Sequence, residues 1–423
     1  MPQRRLARSG RSRRAVAHVA RLCYGGGVGS PPSGAQSIDP FLPARLGPLT
    51  LRNRFIKAAT FEGMTPDHVV TDRLIDFHRR VARGGVGLTT VAYCAVSAEG
   101  CGTPNEMILT EDVVPSLRRL ADAVHAEGAA VAVQIGHAGA VAAATGRRGL
   151  SPSPMWSPMA MRRTRGVTAA DVARITEDFA RAARVVAAAG CDAIEIHLGH
   201  GYLLSEFLSP KLNRRNDEWG GSIENRARFP RAVLRVVRDA VRDRLAVTAK
   251  LNMTDGVPGG LWLDESVRVA ALLEADGTVD ALELTGGSSL ENPMYLFRGE
   301  APIREMAAAM PPAVAWAFRL FGKRFLPEYP FEEAFFLPYA RQFRAALRLP
   351  LVLLGGINQI DTVRRAMADG FEFVAMGRAL LREPDLVRRF QEGMATDALC
   401  VHCNKCIPTI YRGTRCVLVD EVA

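Results

Sequence analysis

The chain has 423 residues, 48% hydrophobic and 23% charged, which gives a large core and excludes disorder of the whole. Its formal charge of +10 is mostly local: residues 1–38 hold seven arginines and no acid, leaving about +3 for the rest, so the basic balance is no argument for a nucleic-acid partner. No run of 18 or more apolar residues free of charge occurs, so the sequence offers no membrane-spanning helix.

Residues 1–36 are Arg-rich, then rich in Gly, Pro and Ser. We read them as a disordered extension outside the fold, with a mitochondrial-type presequence as the alternative. From residue 54 short apolar runs recur at 54–59, 86–92, 129–135, 191–197, 246–252, 279–285, 350–355 and 372–376. Each has the length and composition of a strand buried on both faces. Helical segments are expected between and after them at 72–83, 111–127, 169–189, 224–242, 264–275, 334–346, 360–369 and 384–394. Gly84, Gly128, Gly190 and Gly370 close helices ahead of strands.

Eight strands alternating with eight helices predict an α/β fold, a (β/α)8 TIM barrel over 37–395, followed by a short Cys-rich tail at 396–423. An open doubly wound sheet is the competitor, but no GxGxxG follows the first strand. Two loops are long, 137–167 and 286–333. The second carries Trp316, Phe318, Phe321, Phe325 and Tyr329. Such loops form a substrate pocket or lid, or here a small helical subdomain.

In this fold the site lies at the C-terminal ends of the strands. Gln134 ends the third strand, His197 the fourth with His200 and Tyr202 just beyond, and Lys250 lies near the end of the fifth. An amide, two imidazoles, a phenol and an ammonium thus converge on one mouth. The last two strands end in Gly355-Gly356 and in Gly377-Arg378. Glycines let backbone N–H groups approach an anion and an arginine adds a bidentate partner, which points to a phosphate site.

The eight cysteines are uneven: 23, 94, 101 and 191, then 400, 403, 406 and 416 close together. This is no secreted disulfide framework, and a reducing, cytoplasmic setting fits better. The spacing Cys400-x2-Cys403-x2-Cys406-x9-Cys416 is of the metal-site type, suited to an iron–sulfur cluster or to zinc, with free thiols as the remaining alternative.

The segment HLGHGYLLSEFLSPKLNRRNDEWGGSIENRARF (197–229) resembles the central signature of the Old Yellow Enzyme family of FMN-dependent oxidoreductases. QIGHAG (134–139), LGPLTLRNRFIKAATFEGM (46–64), LLGGI after strand seven and VAMGRALLREPD at strand eight match it too, so the resemblance covers about residues 40–416. It implies an FMN across the barrel mouth, with Ala58, Ala59 and Thr60 at the ring, Gln134 at its pyrimidine edge and Lys250 beside N1 and O2. A cation there favours the anionic reduced flavin. The phosphate would rest on Gly355, Gly356, Gly377 and Arg378. His197 and His200 resemble the family's carbonyl clamp, and Tyr202 its proton donor. Multidomain relatives such as 2,4-dienoyl-CoA reductase hold a [4Fe–4S] cluster just after the barrel, which Cys400, Cys403, Cys406 and Cys416 resemble with shorter spacing.

The implied activity is NAD(P)H-driven reduction of α,β-unsaturated carbonyl compounds, with hydride from flavin N5 and a proton from Tyr202. The alternatives are an oxidative amine or N-methyl dehydrogenase passing electrons through the cysteine cluster, and a non-catalytic flavin redox sensor. The expected partners are small molecules, with no nucleic acid and no membrane span, and self-assembly is compatible with the reading.

Overall fold

Eight parallel strands close on themselves in the computed structural model, which describes residues 38–144, 146, 148–310 and 312–419. The Arg-rich segment 1–36 lies outside the described residues. An antiparallel hairpin of β1 (Ala44–Leu46) and β2 (Leu49–Leu51) comes first. The barrel strands follow: β3 (Phe55–Lys57), β4 (Leu88–Ala95), β5 (Ala130–Gly136), β6 (Ala193–Leu198), β7 (Ala246–Asn252), β8 (Ala281–Thr285), β9 (Leu351–Leu354) and β10 (Phe373–Met376). Each pairs with its sequence neighbour, and β10 pairs with β3, which closes the ring.

These strands are buried almost throughout, which is why they read as continuous apolar runs. Inward positions alternate with outward ones. The inward set near the N-terminal ends is small: Ala132, Ala193, Ala246 and Ala281 pack with Ile56, Leu88, Val352 and Phe373. The space this leaves is filled from below by Ala44, Leu46 and Leu51 of the hairpin, so the bottom of the barrel is plugged. Outward residues such as Val131, Ile194, Ile196 and Leu282 join the larger core under the helices.

The helical ring comprises α1 (Asp72–Arg83), α2 (Val114–His125), α3 (Ala169–Ala188), α4 (Leu203–Leu208) and α5 (Ile223–Val241) in the first half. The second half carries α6 (Leu263–Asp276), α7 (Ile303–Ala308), α8 (Pro312–Phe325), α9 (Leu337–Ala346), α10 (Ile360–Ala368), α11 (Arg378–Arg382) and α12 (Leu386–Gln391). Helix α3 starts on a capping box: Thr168 Oγ1 accepts from Asp171 N, and Thr168 N donates to the Asp171 carboxylate at 2.9 Å. The segment expected as a helix from 111 opens with a 3-10 turn at Glu111–Val113.

The loop 137–167 folds into two short ladders, Leu150–Ser151 with Arg165–Gly166 and Trp156–Ser157 with Arg162–Arg163. The loop 286–333 forms α7 and α8. The aromatic content of α8 faces outward: Trp316, Phe321 and Phe325 are exposed. The tail packs on the barrel. Thr414 N donates to Glu62 O at 2.7 Å, Arg73 reaches Arg412 O at 3.0 Å, and Asn105 reaches Tyr411 O at 3.3 Å. The His402 ring stacks on Phe331 with centroids 3.4 Å apart. Among the described residues no helix is long and apolar enough to cross a membrane.

Candidate active site

Strand alternation sends Glu195 and His197 of β6 into the barrel, and the register sets Glu195 opposite Gln134 of β5 and His197 opposite Lys250 of β7. Beyond β6 the chain turns sharply at Gly199-His200-Gly201. His200 has φ +62°, a left-handed conformation that costs energy for a residue with a Cβ. It is held there: His200 N donates to Asn252 Oδ1 at 3.1 Å, and its ring Nε2 lies 2.9 Å from Thr285 Oγ1. Tyr202 then opens α4 as its N-cap residue.

The turn brings the predicted rings together. His197 and His200 have centroids 4.9 Å apart, and Tyr202 lies 4.6 Å from His197. A fourth ring, Tyr93 from β4, packs 4.9 Å from Tyr202. The sequence reading missed Tyr93, which lies one residue past the run 86–92 and inside β4. Burial, His200 and Lys250 push the His197 imidazole well below its usual pKa, and burial with Lys250 takes His200 down to about 3. Both rings are therefore neutral near pH 7. The buried Nδ1 of His197 has no hydrogen-bond partner, so it is open to a ligand. Burial, with Glu106 next, raises the Tyr202 phenol, which stays protonated.

Cys101 and Glu106, from the loop after β4, stand behind the two tyrosines. Cys101 packs in one apolar cluster with Tyr93 and Tyr202. The Glu106 carboxylate accepts from Gly102 N at 2.5 Å, and burial pushes its carboxyl up to about 7. Nothing in the sequence pattern marks this pair, because the loop's fold brings it to the mouth.

Lys250 is not a bare cation. Its Nζ lies 2.6 Å from Glu283 and 3.2 Å from Glu195. Burial works against its charge, but the two carboxylates outweigh that and raise its pKa. Glu195 also accepts from Gln134 Nε2 at 2.6 Å. Both glutamates stand in plain view within strands read as apolar, and a charge inside such a run was the signal for them.

The remaining predicted residues fall into three places. Ala58 N bonds Met376 O at 2.9 Å, which sets Ala58–Thr60 beside Gly377. A Cβ on Gly377 would meet only the Thr60 methyl group, at 3.6 Å, so this side is open. Gly355 and Gly356, at φ +106° and +71°, allow Phe336 and Phe335 to approach, and a Cβ at either would strike those rings. The Arg378 guanidinium is taken up elsewhere: it donates to Arg298 O at 3.2 Å and to the Asn404 side chain. It also lines a small, open-sided cavity together with Cys400, Cys403, Cys406 and Cys416. No three His, Cys, Asp or Glu among the described residues converge on a single-ion site.

A closed (β/α)8 barrel with neutral imidazoles, a protonated phenol and an open glycine edge at its mouth is compatible with the class that the family match shows, the FMN-dependent oxidoreductases. The chain belongs to the NADH:flavin oxidoreductase / NADH oxidase family, that of the Old Yellow Enzymes, whose model matches residues 39–285. It is 58% identical over 384 residues to a 4,4'-dithiodibutanoate disulfide reductase of Rhodococcus erythropolis, covering 90% of this chain and 95% of that protein. It is 32% identical to a metal reductase of Desulforamulus reducens, over 88% of this chain and 52% of that protein. A solved structure of 2-naphthoyl-CoA reductase superimposes with a TM-score of 0.73 at 26% identity, over 87% of this chain and 54% of the other. The chain thus spans about half the length of these last two proteins.

Proposed function

We propose that the protein uses NAD(P)H to reduce, at an FMN held in the barrel mouth, a polarised organic acceptor of the α,β-unsaturated carbonyl class. The observation that carries this is the ring cluster: two neutral imidazoles 4.9 Å apart, one with an unpartnered buried nitrogen, beside a protonated phenol. The bound flavin would supply hydride exchange between the nicotinamide and the acceptor. The residues present fit that group. Gln134 gives its amide nitrogen to Glu195, which leaves the carbonyl oxygen for a ring N–H. The segment 58–60 and Gly377 give a flat, open edge. His197 and His200 would bind the acceptor's oxygen, where negative charge develops. Tyr202 would hold the proton destined for the neighbouring carbon.

The 58% identity favours a second reading, in which the acceptor is an organic disulfide. The same donors would then meet a developing thiolate. The flavin-loaded protein, given NADH without oxygen, separates the two. Turnover with cyclohexenone that falls in Tyr202→Phe, while flavin reduction by NADH persists, supports the first. Turnover with 4,4'-dithiodibutanoate alone supports the second, and neither substrate turning over sinks both.

Four thiols line one cavity beside Arg378, the ligand type of an iron–sulfur group. Cys400, Cys403, Cys406 and Cys416 would hold it, and its chemistry would be storage of single electrons. Iron content and the low-temperature paramagnetic spectrum of the reduced protein test this.

A further inference from the structure

Below the ring cluster two carboxylates share one ammonium in a closed interior. Lys250 Nζ touches both Glu283 and Glu195, and all three residues are at most 3% exposed. The contact follows from the register, since Glu283 stands directly opposite Lys250 on the adjacent strand.

The formal charges leave one negative charge in excess. The groups facing Glu283 do not balance it. From β6 come Glu195 and His197, from β7 Lys250 and Thr248, and from β5 Gln134; His200 and Thr285 lie above. Ile56, Val352 and Ala375 face inward from β3, β9 and β10 and carry no charge. Lys57, on the outer side of β3, acts on Lys250 and Glu195 only through longer-range Coulomb terms, because its ammonium is paired with Glu62 at 2.6 Å. An unpaired buried carboxylate is costly, so one proton is held between the two acids. Burial and the Glu195 charge, set against Lys250, push Glu283 up to about 8.

Resting on the reading that the flavin ring lies over Gln134 and Lys250, we propose that Glu195, Lys250 and Glu283 form a one-proton store coupled to the flavin's redox state. A hydride from the nicotinamide brings two electrons and one proton and adds one negative charge to the site. Lys250 is drawn towards that charge and its hold on Glu283 weakens. Above about pH 8, where Glu283 is ionised in the oxidised protein, it then binds a proton taken from solvent and returns it when the two electrons leave with the acceptor. Glu283 makes no bond to substrate; it is a positioning residue that offsets the charge which reduction adds under the ring.

The test is proton uptake during anaerobic photoreduction of the FMN-loaded protein in weak buffer with a pH-indicating dye. At about pH 9, wild type is expected to take up as much as one more proton per flavin than Glu283→Gln, and at about pH 6 the two are expected to agree, since Glu283 is then protonated in both redox states. Equal uptake at every pH overturns the proposal. If Glu283→Gln does not fold, wild type alone decides. Its reduced-minus-oxidised infrared spectrum at about pH 9 should gain a protonated-carboxyl band, and absence of that band overturns the proposal. A protein that binds no FMN overturns this inference together with the reading it rests on, whereas bound FMN with unchanged uptake overturns the store alone.

Discussion

His200 adopts its left-handed backbone because three elements hold it: Asn252 at its N–H, Thr285 at its ring, and Ser289, whose N–H bonds its carbonyl at 2.8 Å. Strain kept by so many partners marks a residue whose position matters more than its local stability. His197→Ala and His200→Ala should each weaken binding of a phenolate ligand and slow acceptor reduction by about 3 kcal/mol in transition-state terms, with FMN still bound. Ligand titration and single-turnover kinetics check this, and unchanged values in both variants would remove the clamp. Glu106 gives a pH effect of definite sign. Its folded pKa of about 7 lies above the ordinary carboxyl value of 4.5, so the associated stability is complete below about 4.5 and is lost as pH rises through 7. The loss amounts to about 3 kcal/mol. Denaturant midpoints at about pH 5 and pH 8 should therefore differ in wild type, and the difference should shrink in Glu106→Gln. At this scale the sequence showed the polar residues that end apolar strands, because burial makes a lone polar group stand out. It hid Tyr93, which lies one residue past the run 86–92, and Cys101 and Glu106, which reach the mouth only through the path of one loop.

Strands and helices were legible almost to their ends. The run 246–252 and the helix 72–83 coincide with β7 and α1, since both faces of a barrel strand are buried and Thr71 caps the helix cleanly. The β1–β2 hairpin was not legible. It precedes the first apolar run at 54–59, and only the small alanines at the barrel's base explain why it plugs the end. Helix α8 was one of two open readings, and its exposed face carries no pattern that distinguishes a lid from a subdomain. The capping box of α3 was visible at Thr168 and Asp171, and the structure adds Arg165, whose guanidinium grips the Asp171 carboxylate at 2.6 and 3.0 Å. Thr168→Ala should cost about 1 kcal/mol, read as a lowered denaturant midpoint with unchanged flavin content.

For the whole molecule, the tail behaves as part of the barrel rather than an appendage. Its bonds to Phe61, Glu62, Arg73 and Asn105 run through backbone groups or non-cysteine side chains. Cys403→Ser should therefore lose iron yet keep FMN and its reduction by NADH, as measured by metal content and anaerobic titration. Gly63→Ala should act on the packing of the tail instead. At φ +61° a Cβ there would run into the Ile410 carbonyl, so the variant should loosen the tail and expose it to protease.

The tail's anchor has a consequence for cofactor affinity. Thr414 hydrogen-bonds the carbonyls of Phe61 and Glu62, 353 and 352 residues back along the chain, next to the 58–60 edge assigned to the flavin. One short loop thus serves two occupants. To whatever extent each occupant orders that loop, their binding free energies are linked, and the linkage is reciprocal. On the proposed iron–sulfur reading, a chelator that empties the cysteine cavity should raise the FMN dissociation constant by the same factor by which removing FMN weakens binding of the cluster. The two titrations, done separately, must return one number.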